Sequence, residues 1–138
     1  VIVLNPLREL GLERFRIPSS WRSMLSASKV SDLYLQPHVG GDVAACKALL
    51  KGLIERGAVD EGFVGAATSG WAAVHADAVA TSWEDLCNAS GLRRDAIDQA
   101  VAMIAQAAKT ARIAWAVHVS QEDYRSVPKD RADRVAAA

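Results

Sequence analysis

The run Gln36-Pro37-His38-Val39-Gly40-Gly41-Asp42-Val43 decides how the rest of the chain is read. Apolar, β-prone residues stand before it, and an apolar pattern with a 3.6-residue period follows it, which predicts a strand, a turn and a helix. Gly40 and Gly41 sit where the backbone must bend. Such a turn offers a nucleotide free backbone N–H groups at the start of the helix. It also offers the Asp42 carboxylate, which accepts paired N–H donors from a base, or a ribose hydroxyl. Asp is equally a preferred helix N-cap, so Asp42 has a purely structural use at the same position.

Downstream, Cys46, Leu49, Leu50, Leu53 and Ile54 form an apolar stripe, with Lys47, Lys51 and Glu55 opposite and Gly57 placed to end the helix. Upstream, residues 29–36 alternate, with Val30, Leu33 and Leu35 apolar, and read as a strand ended by Pro37. A first strand is expected at residues 1–4, Val1-Ile2-Val3-Leu4, ended by Asn5-Pro6 because proline lacks an N–H and restricts the residue before it. If the two strands are parallel, as alternation with helices suggests, Asn5 and the Gly40-Gly41-Asp42 turn emerge at the same edge of the sheet, where open α/β folds bind ligands. Residues 7–28 read as a helical turn through Leu10 and then a long polar and aromatic connection with Trp21; such connections are functional, mobile or covered by another element, and this one is expected to be mobile or covered.

Four further helices are expected. Asp60 caps a short one carrying Phe63 and Val64, with Gly70 beyond its end; residues 71–79 form another. Thr81-Ser82-Trp83-Glu84 has the form of a capping box and opens a helix ending near Gly91. Residues 94–108 place Ile97, Val101, Ile104, Ala105 and Ala108 on one face. Residues 111–119, with Ile113, Trp115, Val117 and Val119, read as a third strand, and the charged residues 121–138 as a weak helix or a disordered tail. The result is an α/β domain with a short parallel sheet and four to five helices, an incomplete layer that lacks cover and pairing.

Length and charge narrow the possible functions. At 138 residues the chain is one domain, and no stretch is long and apolar enough to span a membrane. Lys plus Arg equal Asp plus Glu at 16 each, so the basic footprint of nucleic-acid binding is missing and no nucleic-acid or membrane partner is expected. Cys46 and Cys87 show no metal spacing and read as buried reduced thiols of a cytoplasmic protein. His38, His75 and His118 lie far apart, and no Gly-x-Ser-x-Gly, Gly-x-Gly-x-x-Gly or P-loop signature occurs. Trp21, Trp71, Trp83 and Trp115 lack a repeating spacing and read as core or interface residues. The chain opens inside an apolar strand-like run without an initiator Met, which leads us to expect an internal piece of a longer chain.

In order and spacing, the segments Val1-Ile2-Val3-Leu4-Asn5-Pro6-Leu7-Arg8, Ser31-Asp32-Leu33-Tyr34-Leu35-Gln36-Pro37, Gly40-Gly41-Asp42, Leu53-Ile54-Glu55-Arg56-Gly57-Ala58-Val59-Asp60, Phe63-Val64, Thr68-Ser69-Gly70-Trp71, Gly91 with Ile97, and Ala114-Trp115-Ala116 resemble an internal segment of the molybdopterin oxidoreductases, the formate-dehydrogenase-like alpha subunits in particular. The resemblance spans about residues 1–121. It implies a partial Rossmann-like, three-layer domain over residues 1–120 that holds the nucleotide end of molybdopterin guanine dinucleotide, followed by a divergent charged tail at 121–138. The family's Asp-Pro-Arg-type stretch corresponds to Asn5, Pro6 and Arg8, and its Gly-Thr-Asp-type stretch to Gly40, Gly41 and Asp42.

The sequence also departs from the pattern. Asn5 stands where many members have Asp, and Val117-His118 follows Trp115-Ala116 where a small-residue continuation is usual. The segments that would hold molybdenum and an iron–sulfur cluster are not in this sequence, so the resemblance implies a fragment, inactive alone, whose partner is the remainder of the parent chain. The alternative is a stand-alone α/β interaction module in which Asp42 is only a cap.

Overall fold

The computed structural model describes residues 1–15 and 28–120. Its elements run β1 (Ile2–Leu4), α1 (Leu10–Glu13), β2 (Arg14–Phe15), β3 (Ser28–Lys29), β4 (Leu33–Leu35), α2 (Asp42–Glu55), α3 (Glu61–Ala67), α4 (Trp71–Ala80), α5 (Trp83–Ser90) and α6 (Arg94–Ser120). The protein is therefore mixed α/β and mostly helical, with six helices among the described residues. The chain divides into two compact units, Val1–Ala105 and Gln106–Ala138, the division falling within α6. The expected connection around Trp21 and the expected tail at 121–138 lie outside the described residues.

Two strand pairs form. β1 and β4 are parallel, with Ile2 opposite Leu33, Val3 opposite Tyr34 and Leu4 opposite Leu35. β2 and β3 are antiparallel, Arg14 opposite Lys29 and Phe15 opposite Ser28. The single strand expected at 29–36 is thus divided between two sheets. The break has a physical cause at residues 30–32: the Val30 N–H donates to Glu13 O at 2.9 Å, and the Asp32 N–H donates to Val1 O at 2.8 Å, so the backbone turns from one partner to the other.

The third strand expected at 111–119 is helical instead, as part of the 27-residue α6. Ile113, Trp115, Val117 and Val119 do alternate, but Ala111, Ala114 and Ala116 between them have the highest helix propensity. No Gly or Pro lies between Gly91 and Ser120 to stop a helix already begun.

In the first unit, Leu35 of β4, Ala45 and Ala48 of α2, Leu86 of α5, Leu92, and Ile97, Ala100 and Val101 of α6 form one buried cluster. Small residues on α2 let its neighbours approach: a Cβ on Gly52 would lie 2.7 Å from Val101 Cγ2. This corrects the helical stripe read from sequence. The most buried positions of α2 are Ala45, Ala48, Lys51 and Gly52, while Leu49 and Leu53 pack only partly against the core. Lys51, expected on the solvent face, is 7% exposed, and its Nζ donates to Val79 O at 2.8 Å and Ala78 O at 3.3 Å. A lysine among the last carbonyls of α4 satisfies acceptors that a helix leaves open and complements its dipole. Cys46 is exposed and Cys87 half-buried, which corrects the expected pair of buried thiols. Of the tryptophans, Trp83 packs on the core cluster and Trp115 is 68% exposed.

The helix starts follow local chemistry. The Asp60 carboxylate accepts the Phe63 N–H at 3.0 Å and opens α3. Ser82, one residue after the expected Thr81, caps α5 by accepting the Asp85 N–H at 3.1 Å. Gly91 ends α5 at φ 73°, the left-handed conformation of a helix C-terminus. Among the described residues, no helix is long and apolar enough to cross a membrane.

Candidate functional site

Because β1 and β4 are parallel neighbours, residues 5–9 and 36–42 leave the carboxyl ends of adjacent strands, the edge at which open α/β sheets bind ligands. The Asn5 N–H donates to Leu35 O at the end of β4 at 3.0 Å, and the two stretches themselves touch where Gln36 Nε2 donates to Pro6 O at 3.5 Å.

The turn after β4 is fastened by its backbone. The His38 N–H donates to Ser90 O at 2.8 Å, and the Gly41 N–H donates to His38 O at 2.8 Å. Gly40 adopts φ 82°, with nothing within 4 Å of where a Cβ would stand, so the conformation alone calls for glycine there. Gly41 is required by space instead: its Cβ would lie 2.8 Å from Ala89 O and 3.0 Å from Ser90 O. The turn therefore rests on the last residues of α5.

Asp42 is the first residue of α2, not its cap. Gly41 holds the N-cap position, and no side chain caps that end of the helix. The Asp42 carboxylate is exposed, with no hydrogen bond or ion pair among the described residues. Its position in the first helical turn is electrostatically favourable, because the helix presents partial positive charge there. The capping role read from the sequence is thus replaced by a free acceptor at the mouth of the turn.

The stretch after β1 is saturated. Asn5 Oδ1 accepts the Leu7 N–H at 3.0 Å, an Asx turn, and Asn5 Nδ2 donates to Glu9 Oε1 at 2.9 Å. Arg8 lies against Glu13, with Nη2 at 2.6 Å and Nε at 2.8 Å from Oε1. The hydrogen bond and charge of Glu13 raise the Arg8 pKa further above its ordinary value. The Tyr34 hydroxyl donates to Leu7 O at 2.7 Å and accepts the Glu9 N–H at 3.2 Å, tying the stretch down onto β4. Pro6 supplies only its carbonyl, to Gln36.

Tyr34, Ser90 and the pair Glu9 and Glu13 were not singled out from the sequence. Tyr34 carried a signal, since a half-buried tyrosine on a strand calls for a partner for its hydroxyl. Glu9 and Glu13 carried none, as their role depends on where Asn5 and Arg8 come to rest. Among the described residues, no group of three or more His, Cys, Asp or Glu side chains is arranged to hold a metal ion.

No protein-family model matches the chain, and no solved structure matches it. Among curated proteins it is similar to Protein YdeP of Escherichia coli (strain K12) and of Shigella flexneri, 29% identical over 136 residues in each case. The similarity covers 90% of this chain, which spans only 18% of the length of those relatives.

Proposed function

We propose that this chain is a segment of a molybdopterin-dependent oxidoreductase of the formate-dehydrogenase-like kind, contributing part of a Rossmann-like cradle for the guanine dinucleotide end of the cofactor. The observation that carries the reading is the Gly40-Gly41-Asp42 turn, at the carboxyl end of a parallel strand, with an unengaged carboxylate at the start of a 14-residue helix. A carboxylate holds two acceptor oxygens in one plane, matching the adjacent ring N–H and exocyclic amine of guanine. The similarity to relatives several times longer than this chain supports its being one part of a larger protein.

The fit is uneven. Asp42 and the open space beside Gly40 suit a base edge, whereas Asn5 and Arg8 are held by Glu9, Leu7 and Glu13 and would have to release them to reach a ligand. When bound, the cofactor supplies two-electron redox chemistry at its metal end, which segments outside this chain would hold together with an iron–sulfur cluster. On this reading the segment works in the cytoplasm, its partner is the remainder of the parent chain, and alone it positions a nucleotide without catalysing a reaction.

Calorimetric titration with GDP and ADP, on the chain and on Asp42→Asn, tests the reading. The expected result is a preference for GDP that Asp42→Asn abolishes, since an amide offers the base one acceptor and two donors in place of two acceptors. Equal binding of the two nucleotides, or an unchanged preference in the variant, would overturn it. A second reading, an interaction module without cofactor, draws on Val39 and Val43 beside the turn, which are 88% and 71% exposed.

A further inference from the structure

A cleft of about 610 Å³ lies beside the β2–β3 pair, shares Arg8, Glu13 and Tyr34 with the loop after β1, and is lined among the described residues also by Arg14, Lys29, Ser31 and Asp32. Three cations thus face two carboxylates, and the carboxylates are already engaged. Glu13 holds Arg8, and Asp32 holds Lys29 at 3.0 Å and the Val1 amine at 2.6 Å. Two groups remain. The Arg14 guanidinium has no partner among the described residues. The Ser31 hydroxyl has none either, although its residue is only 8% exposed.

We propose that this cleft is a site for a phosphate group, held by Arg14 and Ser31, and that Glu13 restrains it by occupying Arg8. The argument is one of charge and geometry. The cleft carries a surplus cation whose planar fork matches two oxygens of a tetrahedral oxyanion, and the Ser31 residue that lines the same cleft supplies a hydroxyl donor. An incoming phosphate also competes with Glu13 for the second guanidinium, and the exposed Arg8–Glu13 pair is a contact weak enough to be exchanged. Inorganic phosphate carries no base, so the proposal does not rest on the guanine reading.

The same chemistry suits a free phosphate and the phosphate of a nucleotide, and the test separates them. Inorganic phosphate, GMP and guanosine are titrated into the full chain at low salt, with amide NMR shifts of Arg14 and Ser31 as the readout. Saturable phosphate binding is expected, weakening as salt is added. Arg14→Ala should lose roughly ten-fold or more in affinity, because a charge-assisted hydrogen bond is removed. Glu13→Gln should gain about two- to five-fold by releasing Arg8.

If GMP exceeds inorganic phosphate and the excess disappears in Asp42→Asn, the phosphate belongs to a nucleotide that reaches both sites. Equal affinities support a free phosphate as the occupant. The proposal is overturned if a folded Arg14→Ala binds phosphate like the unaltered chain, or if Glu13→Gln shows no gain.

Discussion

The two stretches that leave the carboxyl ends of β1 and β4 are neighbours built on opposite plans. Residues 5–9 spend their side chains on one another: Asn5 on Leu7 and Glu9, Arg8 on Glu13, with Tyr34 pinning the loop from the adjacent strand. Residues 38–42 spend almost only backbone, resting on Ser90 and Ala89 of α5 and leaving the Asp42 carboxylate unengaged. A ligand approaching this edge meets one loop whose polar groups must be released and one whose acceptor is free. Readiness to bind is set by where the anchoring groups come from.

Four measurements can break or sharpen that contrast. The largest effect is expected for Gly41→Ala. The new Cβ meets backbone oxygens that cannot rotate away, so destabilisation at the upper end of roughly 1–3 kcal/mol is expected in denaturant melts. Gly40→Ala, with open space around it, should cost only the left-handed backbone penalty of about 1 kcal/mol. Equal costs at the two positions would show that the turn is not seated on α5.

Next comes Tyr34→Phe, which removes the hydroxyl that bonds Leu7 and Glu9. A loss of about 1–2 kcal/mol is expected, and amide exchange at residues 5–9 should quicken while residues 38–42 keep their protection. Faster exchange in both stretches would mean that they move as one unit.

Asp42→Asn should change stability by only about 0.3–1 kcal/mol, the scale of a charge in the first turn of a helix, while removing guanine preference if the proposed role holds.

The smallest expected effect is electrostatic and lies at the amino ends of the same two strands, away from both loops. Hydrogen bonds from the Val1 amine and Lys29 lower the Asp32 pKa from 3.8 to about 2. A depressed carboxylate pKa makes a stabilising contribution that is present above the unfolded value and lost as pH falls from about 4 towards 2. A carboxyl NMR titration of Asp32 should show the low midpoint, and Asp32→Asn should remove that part of the acid dependence. A midpoint near 3.8 would mean that the contacts with the amine and Lys29 do not persist in solution.

The positions of five helices were legible because their signals are local. A helix bonds each residue to one four places away, and Asp60 and Gly91 mark their termini with side-chain or conformational chemistry readable within a few residues. The start of α5 was misplaced by one residue because Thr81 and Ser82 are both capable caps. At residues 111–119 two patterns coexist, and the two-residue alternation hid an uninterrupted helix.

Part of the candidate site was legible as well: the chain itself names a glycine turn with an acidic residue at a helix start. Whether Asp42 caps that helix or stands free could not be read, since the answer depends on the dihedral angles of Gly41 and on its contact with α5, some 50 residues away.

By itself the sequence determined that five helices form and roughly where, the α3 cap at Asp60 and the α5 end at Gly91, and that β1 must stop at Asn5-Pro6, because these depend on groups a few residues apart. Tertiary structure alone decided the division of residues 28–35 between two sheets, the burial of Lys51 under α4, and which of the two loops keeps a free polar group. Each of those outcomes depends on a partner brought close by folding, Val1 and Glu13 for the strand break, Val79 for Lys51 and Ser90 for the turn. A strand, a buried charge or a seated loop is completed only when the opposing surface arrives.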